Sequence, residues 1–453
     1  MSNTDILHNL RDNHSYSYTK GYMLDGEDSY DKSFLRYIGS HTVSEMISDN
    51  LLVFPDSFML GNSSGRVVDY LEPEDEKKSA TIYTNNYLGF IGKGDTELHI
   101  RSRFGNAQND YFIHYMLMRI SGLATFDMPT GYTDEADNIY NLLLYFFPQM
   151  LISALSSGLI KTYVDHKYND SHVRGKINVE RHIRVNEPFT GKAAYNVREF
   201  SYDNNVTELI RHTIEYMRTL YIGRKILDSS QLIRRSVSCI IENTKSYRKG
   251  DLQRMIDANT KLIIHPLYHK YRMLQKLCLA ILRHKKVNYA ESKEKIHGLL
   301  FDGAWLWEEY ISKVLGGKFS HLTIEDSRER LFHELSGVDF QHIVPDYLNK
   351  ERHVIADAKY IPLDQCYKML NADKAGDIYY KTIMYMYRYN SKEGYLIYPA
   401  GKELRRNTLE IISTQGKLIL IGLPVDMEGD FEEYCCKMNA AEKEMVSACF
   451  IRQ

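Results

Sequence analysis

The sequence predicts a mixed α/β protein in three successive parts: a mostly β region over residues 1–130, a helical middle over 131–293, and an α/β domain over 294–453. Three observations lead there. Thr81–Ile91 and Glu97–Ile100 read as paired strands, Tyr140–Ile160 and the segment from Val206 read as helices, and after residue 294 helix, hairpin, helix and strands alternate.

In the first part, residues 1–80 are rich in Tyr, Ser and Asp, and Glu72-Pro73-Glu74-Asp75-Glu76-Lys77-Lys78 reads as a solvated linker. Gly89-Phe90-Ile91-Gly92-Lys93-Gly94 lacks the Gly-x-x-x-x-Gly-Lys-Ser/Thr spacing that cradles a triphosphate and reads as a hairpin turn flanked by Arg101 and Arg103. In the middle part, Tyr140–Ile160 is apolar enough to raise the question of a membrane span. Asn141, Pro148, Gln149 and three serines interrupt it, and Asp134-Glu135 opens it as a soluble helix opens, so a buried core helix is expected. Two basic clusters follow: Arg174, Lys176, Arg181, Arg184 and Lys192, then Arg234, Arg235, Lys245, Arg248 and Lys249. Each is either a nucleic-acid contact or an ordinary solvated face.

The third part opens with an expected helix from Leu299 to Leu315, its apolar face running through Trp307, Tyr310 and Ile311, and Gly316-Gly317 stopping it. Glu308 and Glu309 are successive, so one of them faces whatever the helix packs on; Glu308, beside Trp307, is the choice. A hairpin comes next. His342-Ile343-Val344 leads to Pro345-Asp346, Leu348–Arg352 supplies a polar turn, and His353-Val354-Ile355 leads to Asp357-Ala358-Lys359. Side chains alternate along a strand, so Asp357 and Lys359 share a face and Ala358 turns to the core. Two carboxylates and one amine converging suit divalent-metal-assisted phosphodiester cleavage: the acids Asp346, Asp357 and Glu308 hold Mg²⁺ through oxygen, and Lys359 positions a water or offsets developing charge. The spacing matches the PD-(D/E)xK nuclease signature. Ala372–Tyr389 then reads as a helix with Asp377, Lys381 and Tyr385 on one face, where Lys381 and Tyr385 either touch DNA phosphates or, for Lys381, pair with Asp377. Strands at Gly394–Tyr398 and Lys417–Leu423 complete the sheet.

Composition bounds the rest. The net charge of -2 means that DNA binding relies on local patches rather than bulk attraction. The six cysteines show no Cys-x-x-Cys spacing, which disfavours a zinc site and fits reduced thiols in the cytoplasm. The polar stretch Met1–Asp12 is no signal peptide.

The apolar helix ending Gly158-Leu159-Ile160-Lys161-Thr162-Tyr163-Val164, then Val173-Arg174-Gly175-Lys176-Ile177-Asn178, Arg184-Val185-Asn186 and Arg198–Asn204, ahead of the hairpin ending Asp357-Ala358-Lys359-Tyr360, resembles McrC, the nuclease subunit of McrBC modification-dependent restriction systems. The resemblance spans roughly residues 80–425. It implies a division of labour. An AAA+ GTPase partner of McrB type recognises modified double-stranded DNA, the N-terminal region docks on the partner's ring, and the C-terminal domain cuts DNA with Mg²⁺. Two departures stand out: Tyr380 or Lys381 occupies the place of an expected glutamine, and residues 1–80 match nothing. A stand-alone PD-(D/E)xK nuclease and a non-catalytic activator of the AAA+ partner are the alternatives; intact Asp346, Asp357 and Lys359 weigh against the latter.

Overall fold

A computed structural model describes residues 5–19, 22–23, 32–46, 50–55, 65–71, 80–93, 96–105, 109–122, 139–284, 296–322, 329–333, 339–363 and 372–450. The expected linker 72–78, Asp134-Glu135, Gly94 and Cys366 lie outside them. The chain forms two compact units, one of residues 1–142 with 290–453 and one of residues 143–289.

The expected separation of residues 1–130 from 294–453 gives way to a single unit, and one strand explains why. Leu299 and Leu300, assigned above to a helix, belong to the strand Ile296–Asp302. That strand runs antiparallel to Tyr87–Lys93 and parallel to Asn50–Phe54, in a five-stranded sheet completed by Thr96–Arg101 and Asp5–Arg11. A run of apolar residues satisfies a buried central strand as readily as a helix face, and here the sheet takes it. The helix starts only at Gly303, where the Asp302 side chain accepts bonds from Ala304 N (2.8 Å) and Trp305 N (3.0 Å). Such an N-cap satisfies donors that the first turn leaves free.

Glycines placed in the expected turn sit in strand instead. Gly89 has φ +120° and a Cβ there would stand 2.1 Å from Leu299 O, while across the ladder Gly298 has φ +151° and its Cβ would stand 2.3 Å from Phe90 O. Both backbone shape and clearance demand glycine at this crossing. Thr81–Ile91 accordingly is not one strand: Ala80–Thr84 lies in a separate four-stranded sheet with Ser15–Thr19, Val68–Leu71 and Tyr22–Met23. Leu35, Ile38, Val53, Val68, Ile82, Ile91 and Leu300 close a core around these strands.

The second half of this unit is a six-stranded mixed sheet in the order Ser320–His321, Tyr347–Asn349, Val354–Ala358, Glu393–Ala400, Lys417–Pro424, Arg405–Glu410. The last was not anticipated; its side chains are mostly exposed and carry no apolar alternation. Helices Gly303–Leu315, Ala372–Arg388 and Phe431–Phe450 accompany the sheet. Buried Glu442 accepts bonds from Tyr115 OH and Tyr310 OH, each at 2.8 Å, and pairs with Arg119 at 2.8 Å, so one carboxylate of the helix Phe431–Phe450 ties it to the helices Tyr111–Ile120 and Gly303–Leu315. A buried charge is tolerable only with partners of this quality.

The other unit is not purely helical. Helices Asn205–Met217, Tyr221–Asp228, Gln231–Asn243, Leu252–Ala258 and His269–His284 accompany a three-stranded sheet of Thr162–Asp170, Ala193–Ser201 and Lys176–Ile177. The expected Tyr140–Ile160 helix is a 3₁₀ segment, Ile139–Phe146, followed by an α-helix, Phe147–Leu155, with Pro148 in its first turn. No helix among the described residues is long and apolar enough to cross a membrane.

Candidate active site

Tyr347, Leu348 and Asn349 pair antiparallel with Ala356, Ile355 and Val354. The strand lies at Tyr347–Asn349, beyond the His342–Asp346 run in which the sequence places it, so Asp346 stands at its mouth; His342 ends a separate ribbon of Arg330–His333 with Asp339–His342. The turn is correspondingly tighter than expected, spanning 350–353, with Arg352 N donating to Asn349 Oδ1 (3.0 Å) and His353 at φ +52° closing it.

Continuing that register by one step sets Asp346 across from Asp357, and Ala358 N donates to Asp346 Oδ2 at 2.8 Å. The parallel strand Glu393–Ala400 supports the far side, where Lys359 N donates to Ile397 O at 2.8 Å. Trp307 Nε1 donates to the same carbonyl at 3.2 Å, fixing the helix Gly303–Leu315 on the sheet. Asp357 and Lys359 do share a face: the ammonium is in ion-pair contact with Asp357 Oδ2 and lies 3.8 Å from Asp346 Oδ2. Asp357, only 1 % exposed, is the recessed residue, whereas Ala358, expected in the core, is half-buried.

The electrostatics follow. Burial, then the Asp357 carboxylate, push the Asp346 pKa well up, and the nearby Lys359 charge only partly opposes them. Burial alone would lower the Lys359 pKa, but the carboxylates of Asp357 and Asp346 more than offset it and the net shift is upward. Lys359 is therefore an ammonium at neutral pH.

Glu308 lies close enough to Asp346 to contribute to its raised pKa. Its carboxylate, however, is turned to His321, with His321 Nε2 at 2.9 Å from Oε1, and the strand Ser320–His321 brings that imidazole in. The sequence held no signal for this partner, thirteen residues downstream. Tyr347, also unforeseen, donates its hydroxyl to Glu308 O. From the helix Ala372–Arg388, Tyr385 is buried against the site: burial first, then Asp357 and Asp346, raise its pKa. Lys381 is exposed with its ammonium 5.6 Å from the Tyr385 ring, and its charge is felt by Lys359.

The other sequence candidates are differently placed. Arg103, expected to flank the N-terminal hairpin turn, is bound internally to Asp12 and Tyr360, and Arg101 pairs with Asp110 at 3.3 Å. Arg174 and Lys176 belong to the other unit. Arg174 stacks 4.8 Å over Tyr168 and donates to Tyr195 OH (3.3 Å), while Lys176 is exposed. Arg181 donates to the carbonyls of Tyr168 and Tyr195 and is structural.

Fold and site together define a mixed α/β protein that carries two aspartates and a lysine on one hairpin. The family model described as McrBC 5-methylcytosine restriction system component matches residues 82–399, more than half of the chain. The chain belongs to that family. None of the curated proteins compared matches it. Among solved structures, the chain is similar to a refined half-complex from a tetradecameric assembly of Thermococcus gammatolerans McrB AAA+ hexamers with bound McrC. The identity is 17 %, the TM-score 0.42, and the match covers 96 % of this chain and 99 % of that one. It is also similar, at 17 % identity and a TM-score of 0.29, to a cryo-EM structure of the Thermococcus gammatolerans McrBC complex, over 69 % of this chain and 86 % of that one.

Proposed function

We propose that this chain is the DNA-cutting subunit of a McrBC-type restriction system, an Mg²⁺-dependent endodeoxyribonuclease acting with an AAA+ GTPase of McrB type that recognises modified double-stranded DNA. The observation that carries this reading is the recessed Asp357 beside Asp346, with the Lys359 ammonium against both.

The donor set fits a hard cation. Asp357 Oδ1 is buried and accepts no hydrogen bond from any described residue, an unsatisfied anionic oxygen that a cation would relieve. No group of three or more His, Cys, Asp or Glu side chains gathers for a metal among the described residues, so Asp346 and Asp357 form a two-carboxylate set and Glu308 stands outside it, held by His321. One or two carboxylates with water completing the shell is the usual protein environment of Mg²⁺. When bound, the ion polarises the scissile phosphate and lowers the pKa of a water.

The chain's own groups do the remaining work. Asp346, hydrogen-bonded to Ala358 N, keeps one carboxylate oxygen beside the strand that carries Asp357, so both acids face the same point. Lys359, held protonated by those acids, is a donor and charge stabiliser rather than a base: it steadies the attacking water or the non-bridging phosphate oxygens as charge builds. Exposed Lys381 on the neighbouring helix, whose charge is felt at Lys359, is the proposed contact to backbone phosphate. Asp357→Ala tests the assignment. Cleavage of modified duplex in Mg²⁺ is expected to disappear while partner binding and the partner's nucleotide hydrolysis persist; cleavage at the wild-type rate would show that the site is wrongly placed.

A further inference from the structure

Tyr360, the residue after Lys359, is gripped on every side. Its hydroxyl meets Ser102 Oγ at 2.7 Å, its ring is edge-on to Phe104 at 4.9 Å, and the Arg103 guanidinium lies 4.8 Å over the ring. Arg103 Nη2 donates to the Tyr360 carbonyl. The guanidinium is itself fixed: Nη1 donates to Asp12 Oδ2 (2.9 Å) and Asn86 Oδ1 (3.3 Å), and Arg103 N donates to Asp12 Oδ1 (2.7 Å). Asp12 is fully buried at the end of the strand Asp5–Arg11, and its own N–H donates to Arg101 O at 2.9 Å. Gly303 leaves room for the ring, since a Cβ there would stand 2.8 Å from Tyr360 Cε1.

We propose that Arg103 is a positioning residue for the nuclease centre, acting through the Tyr360 backbone on Lys359, so that the end of the N-terminal sheet sets the geometry of the cutting site. Lys359 sits between two anchors. Its N–H is held by Ile397 O, and the next carbonyl is held by Arg103. With the second anchor gone, the strand exit is free to swing, and the ammonium loses its fixed place against Asp357 and Asp346. Misplacement by about an ångström is enough to cost on the order of a hundredfold in rate. Only a planar fork reaches Asp12, Asn86 and the Tyr360 carbonyl together, so lysine is a poor substitute. This role rests on the nuclease reading above and extends it.

The test uses the full-length chain with its McrB-type GTPase, GTP, Mg²⁺ and a duplex containing 5-methylcytosine. Arg103→Lys is expected to lower kcat at least tenfold, to change KM for DNA less than twofold, and to alter the pH profile of kcat. The partner's GTP hydrolysis should stay at the wild-type rate. Should Arg103→Lys melt below the assay temperature, Asp12→Asn, which keeps the side chain's shape but removes the charge that fixes the guanidinium, becomes the deciding variant, with a threefold or larger fall in kcat expected from folded protein. Wild-type kcat and pH profile in whichever variant is folded overturns the proposal. Lys359→Ala run alongside separates the two ideas: if it cuts at the wild-type rate, the nuclease site itself is misassigned, whereas an inactive Lys359→Ala beside a fully active Arg103→Lys sinks only the positioning role.

Discussion

At the scale of single residues, the charge on Lys359 decides its part. Burial acts to deprotonate it, but two carboxylates within ion-pair reach hold the proton, and an ammonium has no lone pair with which to ligate a metal. Lys359→Ala is therefore expected to slow cleavage by about a hundredfold or more, in the range seen when a preorganised charge stabiliser is removed, with little loss of Mg²⁺ affinity. Titration calorimetry of both proteins checks this, and a large fall in affinity would assign the lysine to metal organisation instead. Asp12 offers a pH test. Burial, opposed by the Arg103 charge, raises its pKa to about 6. An acid that ionises later in the folded than in the unfolded state makes folding less favourable as pH rises from the unfolded pKa through the folded one. The wild type should thus lose stability relative to Asp12→Asn between about pH 4 and 6, by up to roughly 3 kcal/mol, and the gap should stay constant above that window. Urea midpoints of the two proteins across pH 4 to 8 measure it; parallel curves would mean that Asp12 does not titrate there.

Secondary-structure elements show what the sequence disclosed and where it was silent. Hairpin, flanking helix and the strands near 394 and 417 were legible because they are local: strand alternation and turn chemistry are written within a few residues of each other. The cap on the helix Asn205–Met217 is local too, with Asn204 accepting from Val206 N and Thr207 N. Asn204→Ala should cost about 1 kcal/mol of stability, and a melting curve unchanged by it would show that tertiary packing alone holds that helix. Leu299 and Leu300 misled because their environment is remote: only the strands Tyr87–Lys93 and Asn50–Phe54, some two hundred residues upstream, make them β. The same remoteness hid the meaning of Gly89 and Gly298. Gly298→Ala would force a Cβ against Phe90 O in a left-handed backbone and is expected to destabilise by about 2 to 3 kcal/mol, read as a lowered melting temperature. His321 escaped notice for a like reason, since nothing near it in sequence marks it as a partner of Glu308.

Taken as a whole, the molecule carries a candidate site for cutting DNA but little with which to choose a target. Residues 1–142 and 290–453 form one unit, so the six-stranded sheet that carries Asp357 and the N-terminal sheets are built as a single body joined by the strand Ile296–Asp302 and by Arg103 on Tyr360. The chain has no phosphate-cradling loop and no zinc-finger spacing, and with a net charge of -2 it lacks the bulk positive potential by which many nucleic-acid enzymes hold DNA. Of the basic side chains that the sequence marks, Arg181, from a suggested DNA patch, and Arg103, from the flank of the N-terminal hairpin, are bound to the protein itself. On the proposed function, target choice and much of the DNA affinity come from another component, in keeping with membership in a restriction-system family. The isolated chain is accordingly predicted to be a poor nuclease, cutting efficiently only with a nucleotide-hydrolysing McrB-type partner. Purified protein incubated with methylated and unmethylated duplex in Mg²⁺, with and without that GTPase and GTP, decides the matter: rapid, site-selective cleavage by the chain alone would establish an independent nuclease, and cleavage confined to the complete mixture would place target selection in the partner.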